Sequence, residues 1–292
     1  MLVGIALLGG CAHQPGAVRE VSPSPVLDRI VERGSVVVGT VGNMPPLNMT
    51  TRDGELMYFA ENREILANAG IHVSVCSPSG IRTSLDKLAF SARCFENGIQ
   101  SIPTFGSLDE LTAAMPETER LVVKERFGAG SRTLGVGLDV EAARHHGAAL
   151  GEPVFQPMVE GLEHSVDLFV NRLGEVVEVV PRIRCQVRAG ESVITETVEA
   201  PKLVRNSIAL ATLLKLRGHN VLQAFVDDQD DTVFIECNPR VGGASALSME
   251  AGLDSIRWSI LEATGVTIEP RLGRYLRGLK MVRYSCDRFV SA

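Results

Sequence analysis

The stretch from Val221 to Arg240 constrains this chain more than any other. Val221-Leu222-Gln223-Ala224-Phe225 reads as an apolar strand carrying one amide, a polar hairpin follows at 227–231, and Thr232-Val233-Phe234-Ile235-Glu236-Cys237-Asn238-Pro239-Arg240 returns as a second strand. Residues two apart in a strand face the same side, so Glu236 and Asn238 point together, with Arg240 beyond them and Gln223 on the neighbouring strand. Oxygen ligands gathered in this way suit Mg²⁺, with phosphates and water completing an octahedron. Such a cation neutralises phosphate charge, and Arg240 adds a second positive group. The plainer alternative is that Glu236 and Asn238 only cap a strand end. The adjoining turn Gly242-Gly243, suited to close backbone approach, favours the site.

A second group of residues fits a triphosphate. The strand Leu121-Val122-Val123 delivers Lys124 and Glu125, and the loop Arg126-Phe127-Gly128-Ala129-Gly130-Ser131-Arg132 follows at once. Small residues there let backbone N–H groups approach an anion, with Lys124 on the phosphates and the loop as a lid. No Gly-Lys-Ser/Thr ends the loop, so it is not a Walker A motif. Further on, Val154-Phe155-Gln156-Pro157-Met158-Val159-Glu160-Gly161-Leu162-Glu163 runs from apolar to polar. That order suits an adenine slot with apolar walls, a backbone edge for the base and a carboxylate for ribose hydroxyls. A structural turn and a buried strand end remain the alternative readings of these two segments.

The frame around these segments is mixed. The pattern predicts a helix over 58–69 ended by Gly70, a strand over 71–76, and a helix over 86–97 ended by Gly98. Strands over 164–170, 175–182, 183–188 and 192–198, with turns at Leu173-Gly174 and Ala189-Gly190, form an antiparallel meander. Residues 201–217 read as a helix with Leu203, Ile208, Ala211, Leu214 and Leu216 on one broad face and Gly218 as its cap. The pair His145-His146 falls on a helix and reads as a solvated face.

The net charge of −6 argues against nucleic acid as a main partner, because phosphate backbones call for a basic face. Cysteines stand at 11, 76, 94, 185, 237 and 286 with no Cys-x-x-Cys pair, which fits reduced, cytoplasmic thiols and neither a zinc ribbon nor a thioredoxin-like motif. The N-terminus reads differently. Met1 to Gly10 is apolar and ends in Leu8-Gly9-Gly10-Cys11, which resembles a bacterial lipoprotein signal and offers membrane anchoring through Cys11 as the alternative location. Residues 12–25 are rich in Pro, Ser and Gly and read as a linker. The segment 26–56, with Leu27 to Gly34 as a short helix and a strand at 35–39, resembles the start of periplasmic amino-acid-binding proteins, which offers a solute-binding lipoprotein as a rival reading.

From about Thr51 to Gly265 the order of parts resembles the ATP-grasp superfamily, in particular proteins similar to the ATP-binding halves of carbamoyl-phosphate synthase large chains. Asp86-Lys87, Lys124 with Gly128-Ala129-Gly130-Ser131, Gln156 to Glu163, and Glu236-Cys237-Asn238-Pro239-Arg240 with Gly242-Gly243 carry the resemblance. It implies an α/β (α+β) ATP-grasp fold, with a partial Rossmann-like N-terminal subdomain followed by two α+β subdomains clasping ATP. The expected divisions are a signal-like segment and linker at 1–25, a binding-protein-like segment at 26–50, a partial preceding subdomain at 51–105, the ATP-grasp domain at 106–265 and a C-terminal extension at 266–292. The resemblance implies roles as well. Lys87 and Lys124 contact the phosphates, with the loop Gly128, Ala129, Gly130 and Ser131 over them. Gln156 and the backbone near Val159 hold adenine, and Glu163 holds the ribose. Gln223, Glu236 and Asn238 serve one or two Mg²⁺ ions, with Mn²⁺ as a substitute. Lys124 and Arg240 act on the transferring phosphoryl group. The implied enzyme is an ATP-dependent ligase that phosphorylates a carboxylate or bicarbonate for attack by an amine or ammonia. Its partners are then a small-molecule acid and an amine acceptor, and a homodimer is compatible. The family's Rossmann-like subdomain opens with a strand and a Gly-rich turn, of which only the last part, 51–84, is recognisable here. An ATP-binding protein without turnover is the corresponding rival.

Overall fold

The β-branched and aliphatic runs form two antiparallel sheets in the computed structural model, which describes residues 53–128, 133–188 and 190–284. The expectations for Cys11 and for the segment 26–50 lie outside the described residues, all of which belong to the unit Arg52–Ala292.

The small sheet has the order β2-β1-β3, from β1 (Leu121–Glu125), β2 (Gly135–Leu138) and β3 (Pro153–Pro157). Alternation splits its two faces. Leu121, Val123 and Phe155 turn to a core shared with Leu111 of α5 (Leu108–Ala114) and Ala143 of α6 (Val140–Ala148). The residues between them, Val122, Lys124 and Gln156, face the other way. The helix and sheet approach so closely that a Cβ on Gly147 would sit 2.7 Å from the Phe155 ring.

The large sheet has the order β8-β7-β4-β5-β6-β9. Its strands are β4 (Leu162–Val170), β5 (Val176–Arg188), β6 (Glu191–Thr197), β7 (Gly218–Val226), β8 (Thr232–Asn238) and β9 (Lys280–Val282). On one face Val166, Leu168, Leu222, Ala224 and Phe234 bury against three helices, α3 (Pro78–Leu85), α4 (Lys87–Glu96) and α7 (Pro201–Leu213). On the other, Phe169 meets Trp258 of α9 (Ser255–Ala263) edge-on at 5.4 Å, beside Leu253, which follows α8 (Ser245–Glu250). Residues after α9 stay on this sheet: the Gly273 and Arg274 N–H groups donate to the buried Glu178 carboxylate at 2.9 and 2.7 Å, and β9 pairs with β6.

Several local expectations change. The helix over 58–69 is two helices, α1 (Asp53–Glu61) and α2 (Arg63–Asn68). The strand over 71–76 is not formed. A strand needs a neighbour for its backbone groups, and here the Val75 and Cys76 carbonyls accept from the Arg63 guanidinium instead. The two strands over 175–188 are the single strand β5, with an irregularity between Ile183 and Gln186. The helix over 201–217 ends at Leu213, where Lys215 takes a φ of 51° and turns the chain. Of the apolar face read from sequence, Leu203, Ala211, Leu214 and Leu216 are buried and Ile208 is half-buried, and Leu210, outside that reading, is buried with them. Among the described residues no helix is long and apolar enough to cross a membrane.

Candidate active site

Between the two sheets lies a cleft of about 850 Å³. The small sheet presents Val122, Lys124 and Gln156 to it, and the large sheet presents Glu163, Gln223, Phe225, Ile235 and Glu236. A β-bulge sets the last two. Gln223 pairs with Glu236 but Ala224 pairs with Phe234, so Ile235 is the extra residue. Strict alternation would put Phe234 and Glu236 on one face. The bulge lets Phe234 stay in the core while Ile235 and Glu236 both reach the cleft.

Lys87 enters from the N-terminus of α4. Asp86 caps that helix through the Leu88 and Ala89 N–H groups at 3.0 and 3.2 Å, and the same carboxylate takes Arg126 Nε and Nη2 at 2.8 and 2.6 Å. The cap therefore ties the start of the glycine loop to the helix that carries Lys87. Lys87 Nζ donates to the carbonyls of Arg126 and Gly128, at 3.3 and 3.0 Å. Gly128 itself has φ +113°, which disfavours any side chain.

Charge is concentrated where the sheets face one another. Burial lowers the Lys124 pKa, Glu236 and Glu163 oppose that, and Lys87 adds to it, leaving the value below the ordinary lysine range. Burial alone would raise the Glu236 carboxyl, but Lys124, Lys87, the Asn238 amide and Arg240 outweigh it and hold its pKa below the ordinary range. Glu236 is thus an anion ringed by cations. Asn238 Nδ2 donates to Glu236 Oε1 at 2.8 Å.

Of the residues singled out from sequence, Lys87, Lys124, Gly128, Gln156, Val159, Glu163, Gln223 and Glu236 line the cleft together. Ala129, Gly130 and Ser131 lie outside the described residues. Asn238 and Arg240 are not in the cleft wall. Asn238 touches Glu236, and Arg240, just past β8, donates Nη1 to the Val241 carbonyl at 3.2 Å while its charge acts on Glu236. The Gln156 side chain is engaged through Nε2 with Thr104 Oγ1 at 2.7 Å. His145 is exposed as read, whereas His146 is half-buried and bonds the Thr133 carbonyl at 2.9 Å.

Sequence reasoning missed Arg184. Its guanidinium pairs with Glu163 and also donates to Ser192 Oγ at 3.0 Å and the Gly190 carbonyl at 2.7 Å. Arg182 and Arg184, two apart on a strand, were the available signal, because two arginines on one strand face need anionic partners.

The residues present fit a hard cation. Among the described residues no group of three or more His, Cys, Asp or Glu gathers, and Glu236 is the carboxylate that stands beside Gln223 and Asn238. Asn238 turns its Nδ2 to Glu236, which leaves its amide oxygen available, and Gln223 stands opposite Glu236 in the ladder. One carboxylate with amide oxygens suits Mg²⁺ that keeps phosphate and water ligands. The apolar wall of Phe127, Leu134, Val136, Met158 and Phe225 suits a planar base.

Comparison with known proteins agrees with this geometry. The family model described as "ATP-grasp in the biosynthetic pathway with Ter operon" matches residues 152–281. Among solved structures, biotin carboxylase from Campylobacter jejuni, in complex with β,γ-ATP, superposes with a TM-score of 0.61 at 20% identity, over 73% of this chain and 54% of that one. The fold is ATP-grasp. The biotin carboxylase domain dimer of the Hydrogenobacter thermophilus 2-oxoglutarate carboxylase, in complex with MgADP, ADP and bicarbonate, shares this ATP-grasp architecture with a TM-score of 0.63 at 16% identity, over 87% and 59% of the two chains. By sequence the chain is 25% identical over 311 residues to the carbamoyl phosphate synthase large chain of Bifidobacterium animalis subsp. lactis, which covers 92% of this chain. It spans about a quarter of that relative's length, 26%.

Proposed function

We propose that this protein is an ATP-dependent ligase that phosphorylates a carboxylate or bicarbonate to an acyl phosphate, which an amine or ammonia then attacks. The observation that carries the reading is the meeting of Lys87, Lys124 and Glu236 in one cleft beside an apolar wall. Those groups come from a helix and from two different sheets, which a shared structural role does not require. The known relatives and the MgADP and bicarbonate complex support the same class of chemistry.

In this reading Lys87 and Lys124 hold the phosphates, with the backbone of Gly128, Ala129, Gly130 and Ser131 over them. Lys87 must first give up the carbonyls of Arg126 and Gly128. Gln156 and the Val159 backbone meet adenine. Glu163 meets the ribose and shares its charge with Arg184. Glu236, Gln223 and Asn238 hold one or two Mg²⁺ ions, with Mn²⁺ as a substitute. Mg²⁺, when bound, neutralises charge on the transferring phosphoryl group. Arg240 supports the same charge from beyond β8. The acid is a small molecule, the enzyme works in the cytoplasm where ATP is supplied, and a homodimer is compatible with this reading.

The test supplies amino acids, ammonia and bicarbonate in combination and follows ADP. Release of ADP that requires one acid and one amine, and that is lost in Glu236→Ala, is the expected result. Tight ATP binding with no release for any pair would reduce the protein to a binding module.

A further inference from the structure

Arg240 sits in a loop that two separate clamps hold, and the outer clamp comes from the far end of the chain. The inner clamp is buried. The Gly242 N–H donates to Ser245 Oγ at 2.9 Å, and Ser245 Oγ in turn bonds the fully buried Asp167. The outer clamp is ionic. Arg283, just after β9, donates Nη2 to the Gly243 carbonyl at 2.6 Å and Nη1 to Glu191 Oε2 at 2.9 Å. Its own N–H is tied to the Val193 carbonyl at 2.8 Å. A Cβ on Gly243 would lie 3.3 Å from Glu191 Oε1, so the loop is pressed onto this ion pair.

Two glycines in succession leave the backbone after Arg240 with wide conformational freedom. Fixing Gly242 alone constrains one peptide and leaves the next to rotate. Arg283 removes that second freedom, and its guanidinium fork suits the task because one arm takes the carbonyl while the other takes the carboxylate.

We propose that Arg283, oriented by Glu191, is a positioning residue that fixes the Arg240 loop for phosphoryl transfer, so that the last strand of the sheet completes the reacting end of the cleft. The proposal rests on the ligase reading above. It places the effect on turnover and leaves nucleotide affinity unchanged, because Arg283 touches neither the lysines nor the apolar wall.

The test uses the full chain as wild type, Arg283→Ala, Arg283→Lys and Glu191→Gln. Hydrogen exchange of the segment 239–250, calorimetric Mg²⁺-ATP affinity, and kcat with the acid and amine found above are measured on each. Expected are faster exchange in 239–250 for Arg283→Ala, ATP affinity within about twofold of wild type, and kcat lower by about 10- to 150-fold, the range for one lost charge-assisted hydrogen bond. Arg283→Lys should recover part of the loss and Glu191→Gln should show a smaller one. If Arg283→Ala does not fold, the proposal rests on Glu191→Gln alone, which keeps the arginine. Unchanged exchange in 239–250, or a fall in ATP affinity that matches the fall in kcat, would overturn it. Faster exchange in 239–250 for Arg283→Ala, together with a wild type that turns over no acid, would sink the ligase reading and with it this proposal, leaving Arg283 a structural clamp only.

Discussion

Asn238 donates its side-chain N–H to Glu236 Oε1 at 2.8 Å, and this one bond orients both residues. It leaves the amide oxygen of Asn238 and Glu236 Oε2 outside that contact. Glu236→Ala should therefore abolish the Mg²⁺ dependence of ATP binding, and Asn238→Ala should weaken it less. Titration of Mg²⁺ against ATP affinity checks both. An unchanged Mg²⁺ response in Glu236→Ala would remove the cation from this site.

Asp86 has two duties, as cap of α4 and as partner of Arg126. Asp86→Asn keeps a capping oxygen but loses the ion pair, whereas Asp86→Ala loses both. A cap is worth about 1 kcal/mol and a hydrogen bond to a charged group about 1.5–3 kcal/mol. Urea unfolding should rank the two variants in that order. ATP affinity should fall in both, because the same carboxylate holds the loop beside Lys87. Equal stability of the two variants would show that the cap contributes nothing, and an Asp86→Asn protein as stable as wild type would show that Arg126 contributes nothing.

The buried Asp167 accepts from Arg182 at 2.7 Å, Ser248 at 2.8 Å and His219 at 3.1 Å, and from Ser245. Burial would raise its pKa, but Arg182, His219 and Ser245 hold it far below the ordinary aspartate range. A carboxylate whose folded pKa is depressed stabilises the protein above its unfolded pKa, about 3.9, and loses that contribution as pH falls towards the folded value. Removing one member of a buried pair costs about 3–5 kcal/mol, so Asp167→Asn should lose stability on that scale near neutral pH. The difference from wild type should hold constant from about pH 7 to pH 5 and narrow only in stronger acid. A gap that closes above about pH 5 would mean that Asp167 is not held as a buried anion.

How much was readable in advance follows from the range of each interaction. That Glu236 and Asn238 share a face, and that Lys124 leaves its core-facing neighbours for the other side of β1, are consequences of strand period alone. The core face of α7 was readable for the same local reason. The bulge at Ile235 was not, since it depends on the register of β7 against β8. Nor was the Glu163–Arg184 pair, whose members are close only because β4 and β5 are antiparallel neighbours. The stretch 71–76 has strand composition yet forms none, because its carbonyls are taken by Arg63 from an adjacent helix. Arg283 stands 43 residues after Arg240 in sequence, and no local pattern links them.

Lys124 offers the most direct measurement. It lies in β1 with its ammonium close enough to Glu236 for each to shift the other. Calorimetric titration of ATP and of adenosine into wild type and Lys124→Ala separates a phosphate contact from a disturbed strand. A charge-assisted contact of this kind is worth roughly 1.5–3 kcal/mol, or about 10- to 150-fold in affinity. Lys124→Ala should lose that much for ATP and almost nothing for adenosine, which has no phosphate for the ammonium to hold. Equal losses for the two ligands, or no loss for either, would contradict the assignment of this cleft as a triphosphate site.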